Sequence, residues 1–274
     1  MALEILPAAH PRTILERSRR ESRRSLVGWG IGVGAYTMVI LAIFPSISRN
    51  AALSEAMKGY PEAIRKMFAV GDFTTGPGYL RAELFSFVAP LLLLIPGVLW
   101  GSAAVAGEEE HRTIDLVLAN PVARRRFVVE KWSAVTIDLA LLGTVLCAAI
   151  LVSNTAFGLD VGTGPIVAAA LASTLLAVLL ATVAIAIGAA TGRMGAARGI
   201  TAAVATLAYL VSTVATLADW LRPVRPLSPW YQTLGVDPIS HGFALSWHLL
   251  TVVAAIAILV LVAIRAYDGR DLAV

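Results

Sequence analysis

Residues 107–131 read GEEEHRTIDLVLANPVARRRFVVEK, and this charged stretch stands between two long apolar runs, 84–106 and 133–155. Its first part, 108–119, has helix character. Glu108, Glu109 and Glu110 suit the positive end of a helix dipole. Ile114, Val117 and Leu118 recur at i, i+3 and i+4 and make one apolar face. Asn120 and Pro121 stop this helix and start another, since Asn caps well and Pro fits the first helical position. The second helix carries Arg124, Arg125 and Arg126 towards the next apolar run. Two readings fit these residues. One is a solvated charged loop that only fixes topology; the other is a lever that a second protein grips.

The apolar flanks decide the class. Of 274 residues 58% are hydrophobic and 15% charged, with a mean hydropathy of +0.77. Soluble domains carry roughly 25% charged residues. So much apolar surface does not fit inside one aqueous core, and an all-α integral membrane fold is expected. Six runs approach the ~20 residues that cross a bilayer: 26–44, 84–106, 133–155, 166–190, 200–218 and 245–264. In the second, ten large apolar residues from Phe85 to Leu99 favour insertion by about 3 to 6 kcal/mol together, unopposed by any charge. Only helices satisfy their own backbone in lipid without closing a barrel.

Charge sets the orientation. With the N-terminus inside, the inner segments hold fifteen of the 22 Lys and Arg residues and the outer loops seven. Both termini are then cytoplasmic, as is 107–131. Residues 1–24 are basic, and 13–24 are expected to lie on the membrane surface as an uncleaved anchor helix. Residues 25–266 hold the six spans and 267–274 a cytoplasmic tail, all in one domain, 1–274. In the first outer loop Pro61 can start a short helix to Val70, and Gly76-Pro77-Gly78 breaks the chain before span two. Pro223, Pro226, Pro229 and Pro238 exclude a regular span in 222–241, and Trp230 and Tyr231 prefer the interface. A re-entrant or surface-lying hairpin before span six is expected there.

Candidate sites each carry a plainer reading. Asp138, inside span three, could serve a cargo or proton path, or sit at headgroup depth facing the bundle or Lys131. Gly28, Gly30, Gly32 and Gly34 form two overlapping G-x-x-x-G pairs, which pack helices within one chain or between protomers. Thr201, Thr206, Ser212, Thr213 and Thr216 in span five could line a pathway or bond within their helix. An intramembrane metalloprotease would need carboxylates and histidines converging on a metal. Yet His10 lies in the N-terminal tail, His241 and His248 lie towards the opposite face, and no H-E-x-x-H occurs. No G-x-x-x-x-G-K-[ST] loop occurs, no Cys/His metal pattern is present, and the basic residues cluster beside apolar spans as for lipid headgroups, not nucleic acid.

The run 76–132, with its acidic cluster, its RTIDLVL helix at 112–118 and its NPVAR corner at 120–124, resembles the ABC-2 type permeases of bacterial ABC transporters. The LSPWY segment at 227–231 followed by Asp237-Pro238 is similar to the family's motif before span six, and the basic N-terminus leading into SLVGW at 25–29 also fits. The resemblance implies that 113–118 is a cytoplasmic coupling helix between spans two and three, seated on a separate ATP-binding subunit. The expected contact residues are Glu108, Glu109, Glu110, Arg112, Thr113, Ile114, Asp115, Val117, Leu118, Pro121, Arg124 and Arg125. It further implies two ATPase subunits, which would hold the ATP and Mg that this chain lacks, and a second permease copy or sister permease. The expected setting is a bacterial plasma membrane, and the expected activity is export of a hydrophobic or amphiphilic small molecule. An intramembrane metalloprotease and a non-transporting receptor or scaffold are the alternatives.

Overall fold

A computed structural model of the chain describes residues 14–50, 73–110, 123–241 and 247–270. Every described element is helical. In chain order they are α1 (Ile14–Ala42), α2 (Phe44–Ser48), α3 (Gly76–Tyr79), α4 (Val88–Glu110), α5 (Arg124–Phe157), α6 (Thr163–Thr191), α7 (Met194–Val214), α8 (Pro238–His241) and α9 (Trp247–Asp268). Six stretches are long and apolar enough to cross a membrane: those holding α1, α4, α5, α6, α7 and α9.

α6 is the axis of the bundle. It packs most extensively on α4 and also touches α9, α5 and α7, while α1 lies chiefly along α5. In the apolar window of α6 78% of residues are buried, against 17% in α1 and 22% in α7 and α9. The composition of α6 explains this. Ala168, Ala169, Ala172, Ala177, Ala181 and Ala184 keep it thin enough for neighbours on all sides. The α4–α6 contact is close enough to need glycine. A Cβ on Gly101 would stand 2.6 Å from the Ala181 carbonyl oxygen, well inside contact distance. The outer helices instead show large apolar side chains, among them Val27, Ile31 and Val39 on α1 and Leu250 and Ile258 on α9. Apolar surface on that scale suits lipid, not water.

Several expectations change in detail. Of the surface helix expected at 13–24, the described residues 14–24 are not a separate helix: α1 runs without a break from Ile14 through the first span. The basic residues are tolerated because Arg20, Arg23 and Arg24 point outward, while Arg19 and Ser22 bond to α5. Gly76-Pro77-Gly78 starts a helix where a break was expected. The Thr75 hydroxyl accepts from the Gly78 N–H at 3.3 Å, and Pro77 occupies the first turn, where its missing donor costs nothing. A wider turn, Leu80–Phe85, then leads into α4. The fifth span begins at Met194, six residues early, and Arg198 in its first turns is exposed while its Nε donates to the Ser102 hydroxyl of α4 at 3.0 Å. The helix expected at 61–70 lies outside the described residues.

Segment 219–241 winds through short helical turns at Asp219–Leu221, Arg225–Leu227 and Tyr231–Gly235. It is not a surface hairpin at its centre. Trp230 is buried against Leu94, Val98, Leu176, Leu180 and Ala205, so this aromatic packs inside the bundle. The Ser228 hydroxyl holds the turn there by donating to the Ala208 carbonyl at 2.7 Å.

Of the two glycine pairs on α1, Gly30 and Gly34 face Leu142 and Val145 of α5 in the same chain. Gly28 and Gly32 meet nothing within 4 Å.

Candidate functional site

The three glutamates at the end of α4 reach three different helices. Glu108 is 9% exposed and accepts from Lys131 Nζ of α5 at 2.6 Å. Lys131 is itself buried, its ammonium 5.7 Å from the centre of the Phe127 ring. Glu109 takes both amino groups of Arg270, just past α9, at 2.9 and 3.3 Å. The side of Glu110 faces α7: its Oε1 accepts from the Met194 N–H, the first of that helix, at 2.8 Å. A carboxylate is well placed there, since helix N-termini carry unpaired N–H groups and positive potential.

The start of α5 is anchored to the same neighbourhood. Arg124 donates to the carbonyls of Tyr267, Asp268 and Arg270 at 3.4, 3.2 and 2.9 Å, which caps the end of α9. Phe127 stacks on Tyr267 with ring centres 5.5 Å apart. The end of α6 completes the hub. Gly192 has φ +65°, a left-handed helix cap, and a Cβ on it would collide with the Glu109 carboxylate and with Arg270. Arg270 also donates to the Ala189 carbonyl at 3.0 Å.

A second cluster fixes the N-terminal part of α1. Asp138, 3% exposed, accepts from the Ser22 hydroxyl at 2.6 Å and from Arg19 Nε at 3.4 Å. Of the two partners considered for Asp138, the bundle is correct and Lys131 is not, because Lys131 is engaged by Glu108. Glu130 accepts from the Leu15 N–H at 3.1 Å and from Arg126 at 2.6 Å.

Titratable groups are therefore used as ties between helices. Among the described residues no three His, Cys, Asp or Glu side chains could hold a metal ion together. His248 pairs with Gln232 at the start of α9, a helix length of about 33 Å from the glutamates.

A family model described as ABC-2 family transporter protein matches residues 12–272. The chain belongs to the ABC-2 transporter family. It is a membrane transport subunit of a family that is not itself catalytic. A comparison with curated proteins gives no match.

In this ABC-2 permease, Arg112, Thr113, Ile114, Asp115, Val117, Leu118 and Pro121 lie outside the described residues. Glu108, Glu109, Glu110 and Arg124 are described, and all four bond within the chain. Arg125 is exposed. Sequence reasoning missed Arg270, Gly192, Arg19 and Ser22. The partners of the glutamates stand 23, 161 and 84 positions away, and no local pattern marks them.

Proposed function

We propose that this permease is half of the membrane unit of an ATP-driven exporter in a bacterial plasma membrane. Residues 113–118 form its coupling helix. One observation carries the reading: the described residues on either side of 111–122, Glu108, Glu109, Glu110 and Arg124, are tied to three other helices. A push on 111–122 is thus delivered to α5 through Glu108, to α9 through Glu109 and Arg124, and to α7 through Glu110. Packed helices shift between discrete arrangements, so a small displacement at this hub switches the bundle as a whole.

Ile114, Val117 and Leu118 provide the apolar anchor against a separate ATPase subunit, with Arg112, Thr113, Asp115, Pro121 and exposed Arg125 around it. Glu108, Glu109 and Arg124 act behind that contact, holding the element to the helices. The excess of arginine at this end supports a cytoplasmic position for it and for both termini. Two ATPase subunits, which bind ATP and Mg, and a second permease copy or sister permease complete the transporter. The apolar span faces favour a hydrophobic or amphiphilic small-molecule cargo.

The test is purification of the tagged permease from its native membrane. A nucleotide-hydrolysing subunit should accompany it in comparable amount, with hydrolysis that responds to cargo. A permease that purifies alone under conditions that preserve membrane complexes contradicts the proposal.

A further inference from the structure

At the end of the bundle away from the glutamates, a cavity of about 490 Å³ lies between the chain entering α4, the end of α7 and residues 225–239. That volume is in the range of small-molecule sites. Its wall has two characters. One side is a run of aromatic rings: Phe87 and Tyr209 stand 5.1 Å apart between centres, and Tyr209 and Trp230 5.0 Å. The other side carries Arg81 and Arg225.

The arginines are unequal. Arg81 pairs with Asp237 at 2.6 Å and also donates to the Ser240 hydroxyl. Arg225 lies over the Tyr231 ring at 4.6 Å and has no carboxylate partner among the described residues. One carboxylate against two guanidinium groups leaves the wall with a net positive charge. Ser212, Thr213 and Thr216 of span five line the same space, and among them only Thr216 donates to its own helix, at 2.7 Å.

We propose that this cavity binds one anionic amphiphile, its carboxylate or phosphate on Arg225 and its apolar body along Phe87, Tyr209 and Trp230. Guanidinium groups match such oxyanions in shape and charge, and a ring shelf beside them takes the tail. A bilayer lipid and a transported molecule share this chemistry. The inference rests on the permease reading only for its membrane setting.

The test uses the full-length permease in nanodiscs of zwitterionic lipid, without any ATPase. A dibrominated fatty acid is titrated and tryptophan quenching is read. Saturable quenching is expected. The brominated alcohol of the same chain should bind about tenfold more weakly, as should the acid to Arg225→Gln. Arg222→Gln, an exposed residue paired with Asp219, should match the unaltered chain. Trp230→Phe should remove the saturable part of the signal. Equal affinity for acid and alcohol overturns the proposal, as does saturable quenching that survives Trp230→Phe or full affinity in Arg225→Gln. If Arg225→Gln does not fold, the acid–alcohol comparison on the unaltered chain decides alone. Anionic phospholipid in the nanodisc separates the sources: competition assigns the site to a bilayer lipid, and its absence to a transported molecule. Either result supports the site. Failure here leaves ATPase docking untouched, and failure of docking leaves this binding result untouched.

Discussion

Lys131 Nζ stands 2.6 Å from Glu108 Oε1, and both side chains are about nine-tenths buried. The pair joins α5 to the last turn of α4. Two charges taken from water need opposite charge close by, and removing Lys131 takes from Glu108 its 2.6 Å counter-charge.

Lys131→Met is therefore expected to destabilise the permease by about 3–5 kcal/mol. Glu108→Leu in the same chain should recover most of that loss, because no lone charge remains. Thermal unfolding of the purified protein in detergent checks both. A double variant no more stable than Lys131→Met would remove the ion pair from the account.

Gly192→Ala should cost about 1–3 kcal/mol from its left-handed backbone. It should also break the pairing of Glu109 with Arg270, since a Cβ there meets both side chains. In a double-mutant cycle with Glu109→Gln the two changes should cost less together than their sum. Strict additivity would mean that the cap and the ion pair are independent.

The six spans were legible because each is a continuous apolar run, and length with composition is what a bilayer tests. The hub was not. Three glutamates beside three arginines read as a charged rim, whereas Glu108 and Glu109 turn inward because Lys131 and Arg270 come from other helices. Trp230 beside Pro229 reads as an interface aromatic. It is buried because Ser228 anchors the turn to α7, where Ala205 leaves room, and Leu176 and Leu180 of α6 pack against the ring. The continuity of α1 was masked by its arginines, whose inward member, Arg19, is neutralised by an aspartate 119 positions later.

Asp138→Ala should loosen the N-terminal part of α1. Arg19 and Ser22 would lose their shared acceptor, and trypsin should cut faster after Arg19 and Arg20. Cleavage at the rate of the unaltered permease would show that contacts along Ile14–Ala42 hold the helix without this cluster.

Leu118→Asp should abolish recovery of the ATPase subunit while leaving membrane insertion intact, because it places a charge on the proposed apolar anchor. Arg125→Glu should weaken recovery less, since exposed charges at a contact edge contribute about 0–1 kcal/mol. Co-purification measured against permease yield checks the pair. A larger loss with Arg125→Glu would reverse the assignment of anchor and edge.

The most direct test of the coupling account is the side of the membrane on which residue 115 lies. Asp115→Cys in a Cys147→Ala chain provides one thiol for a membrane-impermeant maleimide. The account predicts labelling in inside-out vesicles and none in intact cells. Labelling of intact cells would place 111–122 outside, beyond the reach of any cytoplasmic ATPase, and would contradict it.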